Sequence, residues 1–222
     1  MIWILIYLII VLIASLLGLF FFKKSALPQR IITVLLLVTL VSESISTYLP
    51  IHGFNNYPVY HFYVIIAFWL YSLIYFLFLP NQRARFFILL IPILFTIFSV
   101  INSLSFQKLD SFPSINIMTS NVILIVYCLI YFKYLIDLNP FQSLRKKGSF
   151  WFNCAVLVYF TMQIFIWGIL NYLIKNHLNV NPVLNFGLAI SIIYYITIGF
   201  SIWLDRGSKN LLFKNEYERV KT

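Results

Sequence analysis

The sequence has little of what a water-soluble domain needs. Only 10% of its residues are charged, and only six are acidic. Cysteine occurs twice, at Cys128 and Cys154, inside apolar runs and without metal-type neighbours. That excludes a disulfide framework and a structural zinc site. Glycine occurs seven times and never as a Gly-rich phosphate loop. No gap between apolar runs is long enough for a kinase, nucleotide-binding or DNA-binding module. No motif in the sequence identifies a reaction or a ligand.

What is present is apolar and strongly patterned. Seven blocks, Ile2–Phe22, Ile31–Leu49, Tyr60–Leu79, Phe86–Leu104, Ile117–Leu138, Phe150–Ile174 and Val183–Leu204, each reach or approach the length that crosses a bilayer. About 20 apolar residues span about 30 Å of hydrocarbon. Pro28, Pro50, Pro58, Pro80, Pro113, Pro140 and Pro182 are expected between the blocks, because proline lacks an amide donor and ends helices. Pro92 falls inside the fourth block, where neighbouring helices can tolerate a kink. The pattern predicts an all-α, seven-helix membrane domain over residues 1–204, followed by a short basic tail at 205–222.

The formal net charge is +10. Its distribution, in alternate gaps, argues for topology and against nucleic-acid binding. Thirteen of the sixteen basic residues lie in gaps one, three and five and in the tail. Loops rich in lysine and arginine face the cytoplasm. The expected orientation is therefore amino terminus outside and carboxyl terminus inside, in a bacterial inner membrane. The first block has no basic segment before it and is followed by Lys23 and Lys24, which suits a retained helix better than a cleaved signal. The tail segment 211–220 mixes apolar and charged residues and could lie along the membrane surface.

One polar constellation stands out. Glu43 is the only acidic residue well inside an apolar block. Thr39, Glu43, Ser46 and Thr47 share one helical face, a stripe that lipid disfavours and a bundle interior accepts. Polar residues at similar depth elsewhere include His61, Asn102, Ser120, Asn121, Gln163 and Asn171, with Trp167 beside the last two. These nine residues, Glu43, Ser46, His61, Asn102, Ser120, Asn121, Gln163, Trp167 and Asn171, are expected to line an outward-facing pocket for a small ligand or a proton. The bland alternative is that they are polar glue between helices. His52, His61 and His177 all fall toward the same side, and with Glu43 they could form a metal or pH-sensing cluster.

A seven-helix chain resembles rhodopsins and G-protein-coupled receptors, but 189–203 lacks the retinal-binding lysine and the receptor motifs are missing. Pro28-Gln29 resembles the pair of PQ-loop transporters, yet the later equivalent, Asn139-Pro140-Phe141-Gln142, lacks it. The words NNYPVYHFY (55–63), INSLSFQ (101–107) and FWFN (150–153), with a glutamate near the outer end of the second helix, resemble a group of small uncharacterised bacterial seven-helix inner-membrane proteins. That group often carries an acidic residue on the third helix, where this chain has Ile66-Ala67-Phe68, so a carboxylate pair is absent. The resemblance implies a fold and a compartment and no activity.

The leading expectation is a sensory, receptor-like protein in contact with the lipid bilayer and a signalling partner protein. A small-solute or ion transporter is the main alternative, and would need a polar path continuing inward. Ser72, Tyr75, Tyr131, Tyr134 and Asn153 are its thin candidate lining. An intramembrane lipid-modifying enzyme using Glu43 and His61 is the third.

Overall fold

The computed structural model describes residues 2–138 and 144–207. The expected tail segment 211–220, and Pro140 with its neighbours, lie outside these residues. Seven helices follow one another: α1 (Ile2–Phe21), α2 (Leu27–Ile51), α3 (Tyr57–Phe78), α4 (Gln82–Ser105), α5 (Ser114–Leu138), α6 (Gly148–Lys175) and α7 (Asn181–Leu204). A short 3-10 turn, Leu144–Lys146, precedes α6. No strand occurs among the described residues. All seven helices are long and apolar enough to cross a membrane.

Helices α2 to α7 are longer than the corresponding apolar blocks, and proline explains part of the difference. Pro28, Pro58 and Pro182 sit in the first turn of α2, α3 and α7, not in the gaps between helices. A helix start leaves its first amides unpaired, so a residue without one costs nothing there. Pro50 lies in the last turn of α2. Pro80 and Pro113 stay in the connections, and Pro92 is buried inside α4.

Six of the helices close a ring. The order of packing is α1–α2–α3–α5–α6–α7, with α7 returning to α1. Helix α4 lies outside this ring, mainly against α3. The ring interior is filled by Val11, Ile32, Leu36, Phe68, Ile74, Tyr75, Tyr127, Phe152 and Ile198, all essentially inaccessible. Large apolar side chains cover the outside, including Ile2 at 73% and Phe20 at 79% exposure. Such a surface suits hydrocarbon and not water.

Hydroxyls within the helices bond back to their own backbone, which hides them from an apolar surrounding. Ser15 donates to the Val11 carbonyl, Thr33 to Gln29, Ser72 to Phe68 and Thr96 to Pro92, at 2.8–2.9 Å. The indole of Trp69 then donates to Thr96 across α3 and α4 at 3.0 Å.

One end of the ring is fastened by a carboxylate. Asp205, the cap of α7, accepts from the Gly148 amide at 2.9 Å and from the Gln29 side chain. Ser201 donates to the Gly148 carbonyl at 2.8 Å. Three helices thus meet at one residue. Position 148 has no room for a side chain, since a Cβ would collide with the Ser201 carbonyl and the Asp205 carboxyl group. This end also carries Lys23, Lys24, Arg30, Arg83, Arg85 and the 145–147 cluster.

Candidate functional site

Glu43 lies on α2 about 12 Å from the Ile51 end, counted at 1.5 Å per residue. It is half-buried, while Thr39 and Ser46 on the same face are fully buried. The polar stripe of α2 therefore faces the bundle. Across from it stand tyrosines. The Tyr7 hydroxyl of α1 reaches toward the Glu43 carboxyl group. Tyr60 and Tyr63 of α3 and Tyr159 of α6 also lie within its electrostatic reach.

These tyrosines hold one another. Tyr63 and Thr39 share a hydrogen bond of 3.0 Å. Tyr195 of α7 lies close to both Tyr7 and Tyr63. The Tyr7 and Tyr195 rings pack edge to face at 5.7 Å, and Tyr159 stacks on Tyr194 at 4.2 Å. Tyr60 lies beside Ser46, and Tyr159 lies beside Gln163 and Ser191. No basic residue among the described residues acts on Glu43. A carboxylate with no internal cation is costly inside an apolar helical bundle. Hydroxyl donors offset part of that cost; a proton or a cation would offset the rest.

The nine expected site residues do not gather in one place. Ser46 and Gln163 belong to the Glu43 cluster. His61 does not. Its Nδ1 pairs with the Ser103 hydroxyl at 2.7 Å and its Nε2 with the Ser111 carbonyl at 3.0 Å. Both ring nitrogens are engaged toward α4 and the loop that follows, so the anticipated Glu43–His61 pair is not formed. Asn102 donates to Gln107 and to Asn116, each at 3.0 Å, and Gln107 donates to Ser114 at 2.8 Å. This is a second polar cluster, built by the ends of α4 and α5. Ser120 and Asn121 are buried on α5, with Ser120 bonded to its own helix at 2.8 Å. Trp167 stacks on Phe112 at 4.4 Å, and Asn171 is exposed.

The anticipated histidine cluster does not assemble either. His52 is exposed and packs on Tyr48 of its own helix. His177 is exposed in the α6–α7 connection. No group of three His, Cys, Asp or Glu side chains comes together among the described residues.

Two grooves mark the surface. One, of about 380 Å³, runs between α1 and α7 past Ala14, Leu17, Gly199 and Trp203. The other, of about 110 Å³, lies between α3 and α4 beside His61 and Ser103. Neither is lined by Glu43.

Toward the basic end the ring interior stays polar. Tyr71 and Tyr194 join through their hydroxyls. One turn further along α3, Tyr75 donates to Asn153 Oδ1 at 2.8 Å. Asn153 donates to the Cys128 carbonyl, and the Cys128 thiol donates back to the Asn153 carbonyl, both at 3.1 Å. Tyr131 lies near Ser149 and Asp205. Ser72, Tyr75, Tyr131 and Asn153 are all buried; Tyr134 is half-buried.

The tyrosines at positions 7, 71, 159, 194 and 195 are not among the sequence-derived site residues. A signal was there. Tyrosine in a membrane helix favours the interface, and these residues sit well inside their helices. No family model matches this chain, and no characterised protein or solved structure is significantly similar to it.

Proposed function

We propose that this chain is a receptor-like membrane protein that takes up a proton or a small cation at Glu43. The observation that carries the reading is a carboxylate inside the helical ring, faced by tyrosines from three other helices and, among the described residues, by no cation. In this reading the amino terminus lies outside, the basic loops lie in the cytoplasm, and the membrane is a bacterial inner membrane. Occupation of Glu43 changes how α1, α3, α6 and α7 hold α2. The basic end, where Asp205 joins α2, α6 and α7, passes that change to a partner protein.

A second reading, small-ion transport, gains support from the buried polar groups that continue from Tyr71 to Tyr131. The enzyme reading has no comparable support, because both nitrogens of His61 are engaged away from Glu43.

The test is thermal unfolding of purified protein across pH and across sodium, potassium and small amine salts. A ligand held at a hundred times its Kd adds about 2.7 kcal/mol of stability. The wild type is expected to shift its melting temperature with at least one of these, and Glu43→Gln to lose the shift while keeping the fold. Identical behaviour of the two proteins across the whole panel would reduce Glu43 to a packing group.

A further inference from the structure

Small residues make the groove between α1 and α7. Ala14 and Gly199 face each other across the seam, and a Cβ added at Gly199 would lie 3.7 Å from that of Ala14. Larger side chains stand on either side, Ile13 and Leu17 from α1 and Ile196, Phe200 and Trp203 from α7. The aromatic wall is held in place. Trp203 stacks on Phe200 with ring centroids 5.9 Å apart, and Phe200 meets Trp151 of α6 edge to face at 5.4 Å.

The groove also has a charged mouth. From Ile10 to Leu17 it runs about 10 Å along α1, and on α7 it reaches Trp203, one residue short of the helix end. That is the basic end of the bundle. The Arg206 guanidinium lies over the Trp203 ring, 4.4 Å from its centroid. Arg206 is exposed, and so are Lys23 and Lys24 in the turn after α1. The neighbouring carboxyl group of Asp205 is bonded to Gly148 and Gln29.

Size and charge together select the occupant. The groove holds about 380 Å³. A helix about 10 Å across would take roughly 800 Å³ over the same length, so the helix of a second copy would rest on the rim and leave the groove unfilled. A single hydrocarbon chain is narrow enough to enter. Lipid tails are as apolar as these walls, so the tail alone brings no preference for one lipid over another. The head group does. Phosphate suits a guanidinium, and each basic residue at a membrane surface strengthens attachment to anionic lipid about fivefold. We propose that the α1–α7 groove seats one acyl chain of an anionic phospholipid, whose phosphate is held at the mouth by Arg206 in the field of Lys23 and Lys24. In the topology proposed above, this lipid comes from the cytoplasmic leaflet. It bridges the first and last helices, so its binding stabilises the closed ring.

The experiment uses the full chain, stripped of lipid in detergent, with phosphatidylglycerol or phosphatidylcholine of the same acyl chains added in steps. Bound lipid is counted by native mass spectrometry, and melting temperature is read on the same samples. The wild type is expected to take up one phosphatidylglycerol per chain, at least about tenfold more tightly than phosphatidylcholine, and to melt higher with it. Arg206→Gln is expected to weaken phosphatidylglycerol about fivefold and to leave phosphatidylcholine unchanged. Ile196→Trp fills the groove from its exposed rim and Gly199→Leu from its floor, and each is expected to abolish uptake of that lipid. Lys108→Gln, in the connection between α4 and α5, is expected to match the wild type. Melting temperatures without lipid show which variants are folded, and the rim variant keeps the test decisive if the floor variant is not. Equal affinity for the two lipids, or no lipid bound, would overturn the proposal. So would tight phosphatidylglycerol binding that survives both Arg206→Gln and Ile196→Trp. A wild-type dimer that Ile196→Trp breaks, with no lipid retained, would give the groove to a second copy instead.

Discussion

At the scale of single residues, Asp205 carries the most structural consequence. It joins α2, α6 and α7 at one carboxyl group. Burial pushes that carboxyl group above the usual carboxylate range, while the Gly148 amide, the Gln29 side chain, the Ser149 amide and Lys147 pull it back. The net shift is upward, so ionised Asp205 costs the folded protein stability. That cost is absent below the unfolded pKa of about 3.9 and grows as pH rises through the folded value. Asp205→Asn is thus expected to gain on the wild type as pH rises from 4 to 8, in parallel thermal unfolding scans. The new amide can bond Gln29 Oε1, which has no partner in the structure. Asp205→Ala leaves the Gly148 amide and Gln29 stranded, and is expected to lose about 1–3 kcal/mol. Asn and Ala variants with equal melting temperatures would show that the carboxyl group fastens nothing.

Glu43 was legible at this scale because a lone carboxylate in an apolar run has few explanations. Its partners were not. Periodicity places a residue on one face of its own helix and says nothing about which helix that face meets. His61 has the right depth, yet it turns to Ser103 because α4 packs on that side of α3.

At the scale of elements, the seven helices were readable from apolar length alone, and their ends less so. Proline marks gaps by its sequence logic, but the first turn of a helix accommodates it equally well. The neighbour relations come from packing of large side chains and leave little trace in one sequence. Helix α4 outside the ring is the clearest case. The junction of α3, α5 and α6 gives a test. Asn153 pairs with Tyr75 and with the carbonyl and thiol of Cys128. Asn153→Leu removes the side-chain half of these bonds and strands the Tyr75 hydroxyl, for an expected loss of about 1–3 kcal/mol. Adding Tyr75→Phe removes the stranded group, so the double variant should regain stability over the single one. A double variant less stable than Asn153→Leu would show that Tyr75 finds another partner.

At the scale of the whole molecule, the charge pattern predicts the orientation. A reporter enzyme fused after Thr222 is expected to be active in the cytoplasm, and activity on the other side would reverse the topology proposed above. Ring closure has a further effect, on synthesis. Tyr7, Val11 and Ala14 of α1 are buried, and the contact of α1 with α7 closes the ring around them. Chains grow at about 5–20 residues per second, so α1 and α2 wait on the order of ten seconds or more for α7. During that interval one flank of α1 has only lipid, or an insertion chaperone, for company. A chain truncated before residue 181 would form a bundle open along this seam, a ready mark for membrane quality control.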